Sequence, residues 1–131
     1  MMPLQVELVS PERILFSGEA EMVIARTEGG GDIAFLTGHA PFVGALGIGV
    51  VRIKPVGAAA EEKAAVHGGF VEVKDDRVTI LSDVAELASQ IDVERARRAK
   101  EAAERAVQAG DAAESEAALR RAHARLTVAE A

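Results

Sequence analysis

The chain changes character near residue 90, and that change limits its possible folds more than any single motif. Residues 1–90 hold all four Pro, all four Phe and 11 of the 12 Gly. Residues 91–131 hold no Pro, no Phe, one Gly and 14 Ala in 41 positions. Gly and Pro punctuating β-branched runs read as strands and turns. Ala interleaved with Arg and Glu reads as helix, because Ala has the best helix propensity and charged side chains solvate the outer face. An α+β chain follows. The expectation is an N-terminal antiparallel β-sandwich of about ten short strands over residues 1–88, then a C-terminal antiparallel α-helical hairpin over 89–131.

Leu4-Gln5-Val6-Glu7-Leu8 alternates apolar and polar side chains, the pattern of a half-buried strand. Further strands are expected at Ile14–Phe16, Glu19–Arg26, Ile33–Leu36, Phe42–Leu46, Gly49–Lys54, Lys63–Val66, Phe70–Val73 and Arg77–Leu81. The last two make a hairpin around Asp75-Asp76, since Asp tolerates tight-turn backbone. Beyond residue 90, Asp92 suits an N-cap, with a helix from Val93 to about Ala109. Gly110 suits the left-handed position after a helix end. Asp111 with Glu114 suits a second cap, with a helix from Ala112 to about Val128.

The expected seam of this hairpin comprises Ala96, Ala99, Ala103, Ala106, Val107, Ala113, Ala117, Leu119, Ala122 and Leu126. Each Ala in place of Leu gives up about three carbons, at ~0.8 kcal/mol per buried CH₂. Helices should form readily while their docking stays marginal. Two readings are open: a hairpin that can undock and extend, or a plain charged helical tail.

Several function classes drop out. The net charge is −6, with no Trp, no Tyr and no basic run, which suits neither phosphate-backbone binding nor base stacking, so no nucleic-acid partner is expected. Without Cys there is no disulfide framework, thiolate metal site or Cys nucleophile. The first residues lack the basic and apolar regions of a signal peptide, and no apolar run is long enough to span a membrane. Gly29-Gly30-Gly31 is not followed by Lys-Ser/Thr and a helix, so it reads as a turn and not a phosphate loop. His39, His67 and His123 sit in separate segments, so no metal site is expected. His39, in a Gly-His-Ala-Pro turn, reads as a structural hydrogen-bonding residue. No Ser lies in a nucleophile elbow, and no catalytic residues are expected.

Arg121 and Arg125 are four apart and share a helix face, where two guanidiniums repel unless an anion or carboxylates intervene. In a closed hairpin, Asp92 and Arg95 come close to Arg125. This set suits a polyphosphate, because Arg presents forked donors. It equally suits a solvated face with ion pairs to neighbouring Glu.

The order and spacing of certain segments carry a resemblance. They are Leu8-Val9-Ser10-Pro11-Glu12, Phe16-Ser17-Gly18-Glu19-Ala20-Glu21, Gly38-His39-Ala40-Pro41, Gly49-Val50-Val51-Arg52-Ile53, Gly68-Gly69-Phe70-Val71-Glu72-Val73 and Val78-Thr79-Ile80-Leu81. Over essentially its full length the chain resembles the epsilon subunits of bacterial F-type ATP synthases. The resemblance implies a non-catalytic central-stalk subunit of a proton-translocating synthase, peripheral at the cytoplasmic face of the cell membrane and attached only through the complex. Its implied partners are the gamma subunit, the ring of c subunits and, when the hairpin extends, the alpha/beta catalytic head. The resemblance further implies that extension inhibits ATP hydrolysis, that no cofactor is required, and that ATP enters as a regulatory ligand holding the hairpin folded.

The ATP-binding members carry Ile/Leu-Asp-x-x-Arg-Ala, matched here by Ile91-Asp92-Val93-Glu94-Arg95-Ala96. A preceding acidic residue matches Glu86, and two later arginines match Arg121 and Arg125. A further family arginine is replaced by Ala102, one turn from Arg98 and Arg105. The resemblance places ring contacts at Gly31, Asp32 and His39. The loop departs from the family there, with Asp32 for Glu and Thr37 for Pro. A free-standing ATP-sensing module is the alternative reading.

Overall fold

The computed structural model describes residues 3–110 and 113–129. Seven strands come first: β1 (Leu4–Ser10), β2 (Arg13–Arg26), β3 (Asp32–Leu36), β4 (Phe42–Pro55), β5 (Glu62–Lys74), β6 (Arg77–Leu81) and β7 (Ala85–Leu87). A 3₁₀ turn (Ala88–Gln90) leads to α1 (Val93–Gln108) and α2 (Ala113–Ala129).

The fold class is the expected one, but the strands number seven, not about ten, because three pairs of expected strands are single long strands. β2 runs through Ser17-Gly18, β4 through Gly47 and β5 through Gly68-Gly69. The strands run through these glycines without ending. The β4–β5 pairing keeps one register on either side of Gly47 and Gly68, from Leu46↔Gly69 to Ile48↔His67, and Gly68 and Gly69 both have positive φ. A Cβ on Gly69 would run into the Leu81 carbonyl, so only glycine fits there.

β1 pairs with β2 and β6, and the order β1-β6-β5-β4-β2 therefore closes on itself as a flattened barrel, with β3 on β2 and β7 on β5. Closure leaves few free edges. All pairings are antiparallel except β1 with β6. The alternation in β1 buries Leu4, Val6 and Leu8 in a core with Val23, Phe35, Ile53, Val71, Val78 and Ile80. Asp75 and Asp76 both have positive φ in the two-residue β5–β6 turn. The Asp76 carboxylate accepts from Gly38 N at 2.7 Å, and its carbonyl from Gln5 N at 2.8 Å, so this turn ties down two neighbouring segments.

α2 lies on β4 and β5, and α1 packs on α2. α2 is therefore buried on opposite sides. Ala124 and Val128 pack on Ala65 with Ile48, Val50 and Ile91. Ser115, Ala122 and Leu126 are buried on the side left for α1. In α1 the buried residues are Ala96 and Ala103, with Lys100, Ala106 and Val107 half-buried. Ala99 and Ala113, expected in the seam, are exposed. The stripe follows i, i+4, i+7, i+11 through Ala96, Lys100, Ala103 and Val107, and Ala99 is not part of it. The expected Asp111 cap and the Ala112 helix start lie outside the described residues.

Candidate functional site

The site grows from the junction of β5, β7 and α2. β7 pairs with β5 from Ala64↔Leu87 to Val66↔Ala85, which fixes Glu86 opposite Ala65, two residues before His67. Arg125 Nε donates to Glu86 Oε1 at 2.7 Å. His67 Nε2 meets the same oxygen at 3.2 Å, and as the oxygen is an acceptor, Nε2 carries the proton. The His67 side chain is 5% exposed, and its bare Nδ1 has no hydrogen-bond partner among the described residues. Burial pushes the His67 pKa below its ordinary value, helped by the Arg125 charge and more weakly by Arg121, against the opposing pull of Glu86.

The other residues expected at a nucleotide site are placed as follows. Asp92 caps α1, its Oδ1 accepting from Arg95 N at 3.0 Å. Ile91 packs on Ala65, Ala124 and Val128. The Ala96 methyl is buried in the hairpin. Arg121 donates to Glu114 Oε1 at 2.8 Å, so the two guanidiniums hold separate carboxylates. Glu86 and Arg125 are thus in direct contact, while Asp92 serves its own helix start.

Of the expected ring contacts, Gly31 O accepts from Thr27 N and Oγ1, both at 2.9 Å, and Asp32 pairs with Arg26 at 3.4 Å. His39 Nδ1 donates to the Ala40 carbonyl at 2.7 Å, and its ring packs edge-on against Phe35 and Phe42. That is the structural role expected of a Gly-His-Ala-Pro turn. Gly31 and Asp32 stand at the start of β3 and His39 lies beyond its end, so a surface using all three must run the length of the strand.

A second feature had no signal in the linear sequence. Val9 pairs with both Ile14 and Leu81, and Leu81 pairs with Phe70. Directly paired residues point to the same side of a sheet. Ile14, Leu81 and Phe70 are 59%, 53% and 61% exposed, and they form one apolar row across four strands. Beside it lies a cavity of about 370 Å³ lined by Ser10, Pro11, Gly69 and Ser82 among others. Register alone aligns these residues, since they come from four separated segments.

Two family models match: the ATP synthase delta/epsilon chain β-sandwich domain over residues 3–88, and the delta/epsilon chain long α-helix domain over 89–130. The chain belongs to the delta/epsilon family of ATP synthase chains. Relatives agree. The ATP synthase epsilon chain of Thermobifida fusca is 51% identical over 128 residues, covering 96% of this chain and 91% of that one. The epsilon chain of Bacillus pumilus is 42% identical, covering 98% of both chains. Among solved structures, a chain of the Euglena gracilis mitochondrial ATP synthase, described as OSCP/F1/c-ring, aligns with a TM-score of 0.71 at 23% identity, over 99% of this chain and 79% of that one. A chain of the Tetrahymena thermophila mitochondrial enzyme, described as central stalk/c-ring, aligns at 0.56 and 18% identity over 72% and 70%. At these identities the likeness is one of fold. No helix among the described residues is long and apolar enough to cross a membrane.

Proposed function

We propose that the chain is a non-catalytic rotor subunit of a proton-translocating F-type ATP synthase, seated on the gamma subunit and the c-ring at the cytoplasmic face of the membrane. The observation that carries this reading is the exposed row Ile14–Val9–Leu81–Phe70. An apolar strip across a closed sheet costs solubility unless a partner covers it, and a rotor subunit needs a face that stays attached while torque passes. Leu81→Asp and Phe70→Asp should each abolish co-elution with the gamma subunit in size exclusion and leave the sandwich folded. Undiminished co-elution of both variants removes this face from the contact.

In the same reading, ATP holds the hairpin folded and its release lets α1 and α2 extend toward the catalytic head, inhibiting hydrolysis. The support is chemical. Glu86, on the sandwich, already holds Arg125 of α2, and a phosphate can replace that carboxylate while Asp92, Arg95 and Arg121 complete the site from both helices. Only the folded hairpin presents them together, so ATP shifts the population toward it. Titration of the full chain should show saturable ATP binding that falls at least about tenfold in Arg125→Ala, since a charged hydrogen bond contributes about 1.5–3 kcal/mol. Equal affinity in wild type and variant excludes Arg125 from the site.

A further inference from the structure

α2 carries cationic side chains on both flanks of its docked face. With 100° per residue, Arg121 and Arg125 fall to one side of the Ala124–Val128 stripe, while Arg120, His123 and Thr127 fall to the other. The first flank meets Glu86. The second overhangs a different part of the sheet, and the space between is a cavity of about 320 Å³ whose lining includes Arg26 and Arg52 of the sandwich and Arg120 and His123 of α2. Asp32 is the one carboxylate in that lining, so the three arginines leave the walls net positive by two before His123 is counted, on a chain whose total charge is −6.

The guanidiniums are held in different ways. Arg26 lies across Gly49, where a Cβ would come within 2.8 Å of its Cδ, and it reaches Asp32 and the Gly30 carbonyl, each at 3.4 Å. Its stem is thus confined while its donors are only loosely engaged. Among the described residues, neither Arg52 nor Arg120 has a carboxylate partner. The Thr127 hydroxyl donates to the His123 carbonyl at 2.8 Å and is already used. Like charges held around one concave space repel, and the geometry that relieves this is an anion that accepts from several at once.

We propose that this cavity is a second anion site, taking a compact diphosphate group that bridges Arg26 and Arg52 of the sandwich to Arg120 of α2. It is separate from the Ile91–Ala96 motif and does not rest on ATP binding there. Two of its arginines come from the sandwich and one from the hairpin, so only the docked hairpin completes it. An occupant therefore locks α2 down from the flank opposite Glu86, through differential affinity for the docked state. The diphosphate can arrive as free pyrophosphate or as the tail of a nucleotide, and the two sources are separable.

The test is calorimetric titration of the full chain with inorganic pyrophosphate, and separately with ATP, at low salt. Arg52→Ala and Arg120→Ala should each weaken pyrophosphate at least about tenfold, whereas Arg77→Ala, a sandwich arginine lining another cavity, should leave it unchanged. Pyrophosphate should also slow amide exchange in α2 of the wild type but not of Arg120→Ala. Arg52→Lys keeps the charge but loses the forked donors, so it reports on the site even if Arg52→Ala melts early. If ATP binding follows Arg120 as well as Arg125, the occupant is a nucleotide tail; if ATP follows only Arg125, it is free diphosphate. Absence of pyrophosphate binding at millimolar concentration overturns the site. So does loss that is equal in Arg77→Ala, which marks diffuse charge, and so does loss in Arg125→Ala alone, which returns the anion to the Glu86 flank.

Discussion

At the scale of single residues, His67 is the side chain whose protonation bears most directly on hairpin docking. It faces Glu86 from β7 and Arg125 and Arg121 from α2, and the cavity beside it is also lined by Arg120 and Glu28. Burial and the two arginines lower its pKa while docked, whereas an undocked hairpin removes both arginines and returns it toward about 6.5. The undocked state therefore binds more protons, and docking is weakened as pH falls through about 6.5, at no more than about 1.4 kcal/mol per pH unit. Docking is at full strength above that value. Amide exchange in α2 should quicken between pH 7 and 5.5, and His67→Asn should flatten the response; an unaltered pH profile in that variant excludes His67 as its source. Gly69 makes a second prediction. Its positive φ and the Leu81 carbonyl leave no room for a side chain, so Gly69→Ala should cost about 2–4 kcal/mol of global stability in a denaturant titration.

At the scale of elements, the hairpin holds to the sandwich by little. Its apolar dock is Ala124 and Val128 on Ala65, with Ile48, Val50 and Ile91 around them. Burying Val128 contributes about 1.5–3 kcal/mol and each Ala less. The Arg125–Glu86 pair is partly exposed and contributes modestly. A balance of a few kcal/mol is what an element with two positions needs. The small residues also make the dock intolerant of bulk. Ala124→Leu should overpack it by about 1–3 kcal/mol, raising α2 exchange while the melting of the sandwich is unchanged. A fall in both together would make the hairpin part of the same cooperative unit.

Much of this architecture was legible because it is local. Alternation in residues 4–8, the Asp92 cap and the Ala-rich composition each act within a few positions. Strand continuity was not, because Gly18, Gly47 and Gly68-Gly69 look like breaks along the sequence, and only pairing with β1 on one side and between β4 and β5 on the other shows the strands running through them. β7 was hidden for a similar reason, as three residues take a strand conformation only where β5 offers an edge. The motif residues Glu86, Asp92, Arg95, Arg121 and Arg125 could be picked out from spacing and resemblance. His67 could not, since its burial against Glu86 follows from β5–β7 register, and neither could Arg26, Arg52 and Arg120, which converge from three elements.

At the scale of the whole molecule, the two proposed anion sites and the narrow apolar dock make hairpin position the quantity to measure. The sequence has no Cys, so a crosslink can read that position directly. Ala65 of the sandwich and Ala124 of α2 belong to one buried cluster across the dock, so a cysteine pair there can close only while the hairpin is docked. In Ala65→Cys/Ala124→Cys, the rate of disulfide closure under mild oxidant should follow the docked fraction. Added ATP should speed it, Arg125→Ala should slow it, and acidification from pH 7 to 5.5 should slow it beyond the loss of thiolate alone, measured against a Cys pair placed within the sandwich. In the assembled synthase, the oxidised variant should keep its hairpin folded and hydrolyse ATP without inhibition, and reductant should restore the inhibited fraction. If oxidation leaves inhibition unchanged, the hairpin does not act by leaving the sandwich, and its weak dock has another purpose.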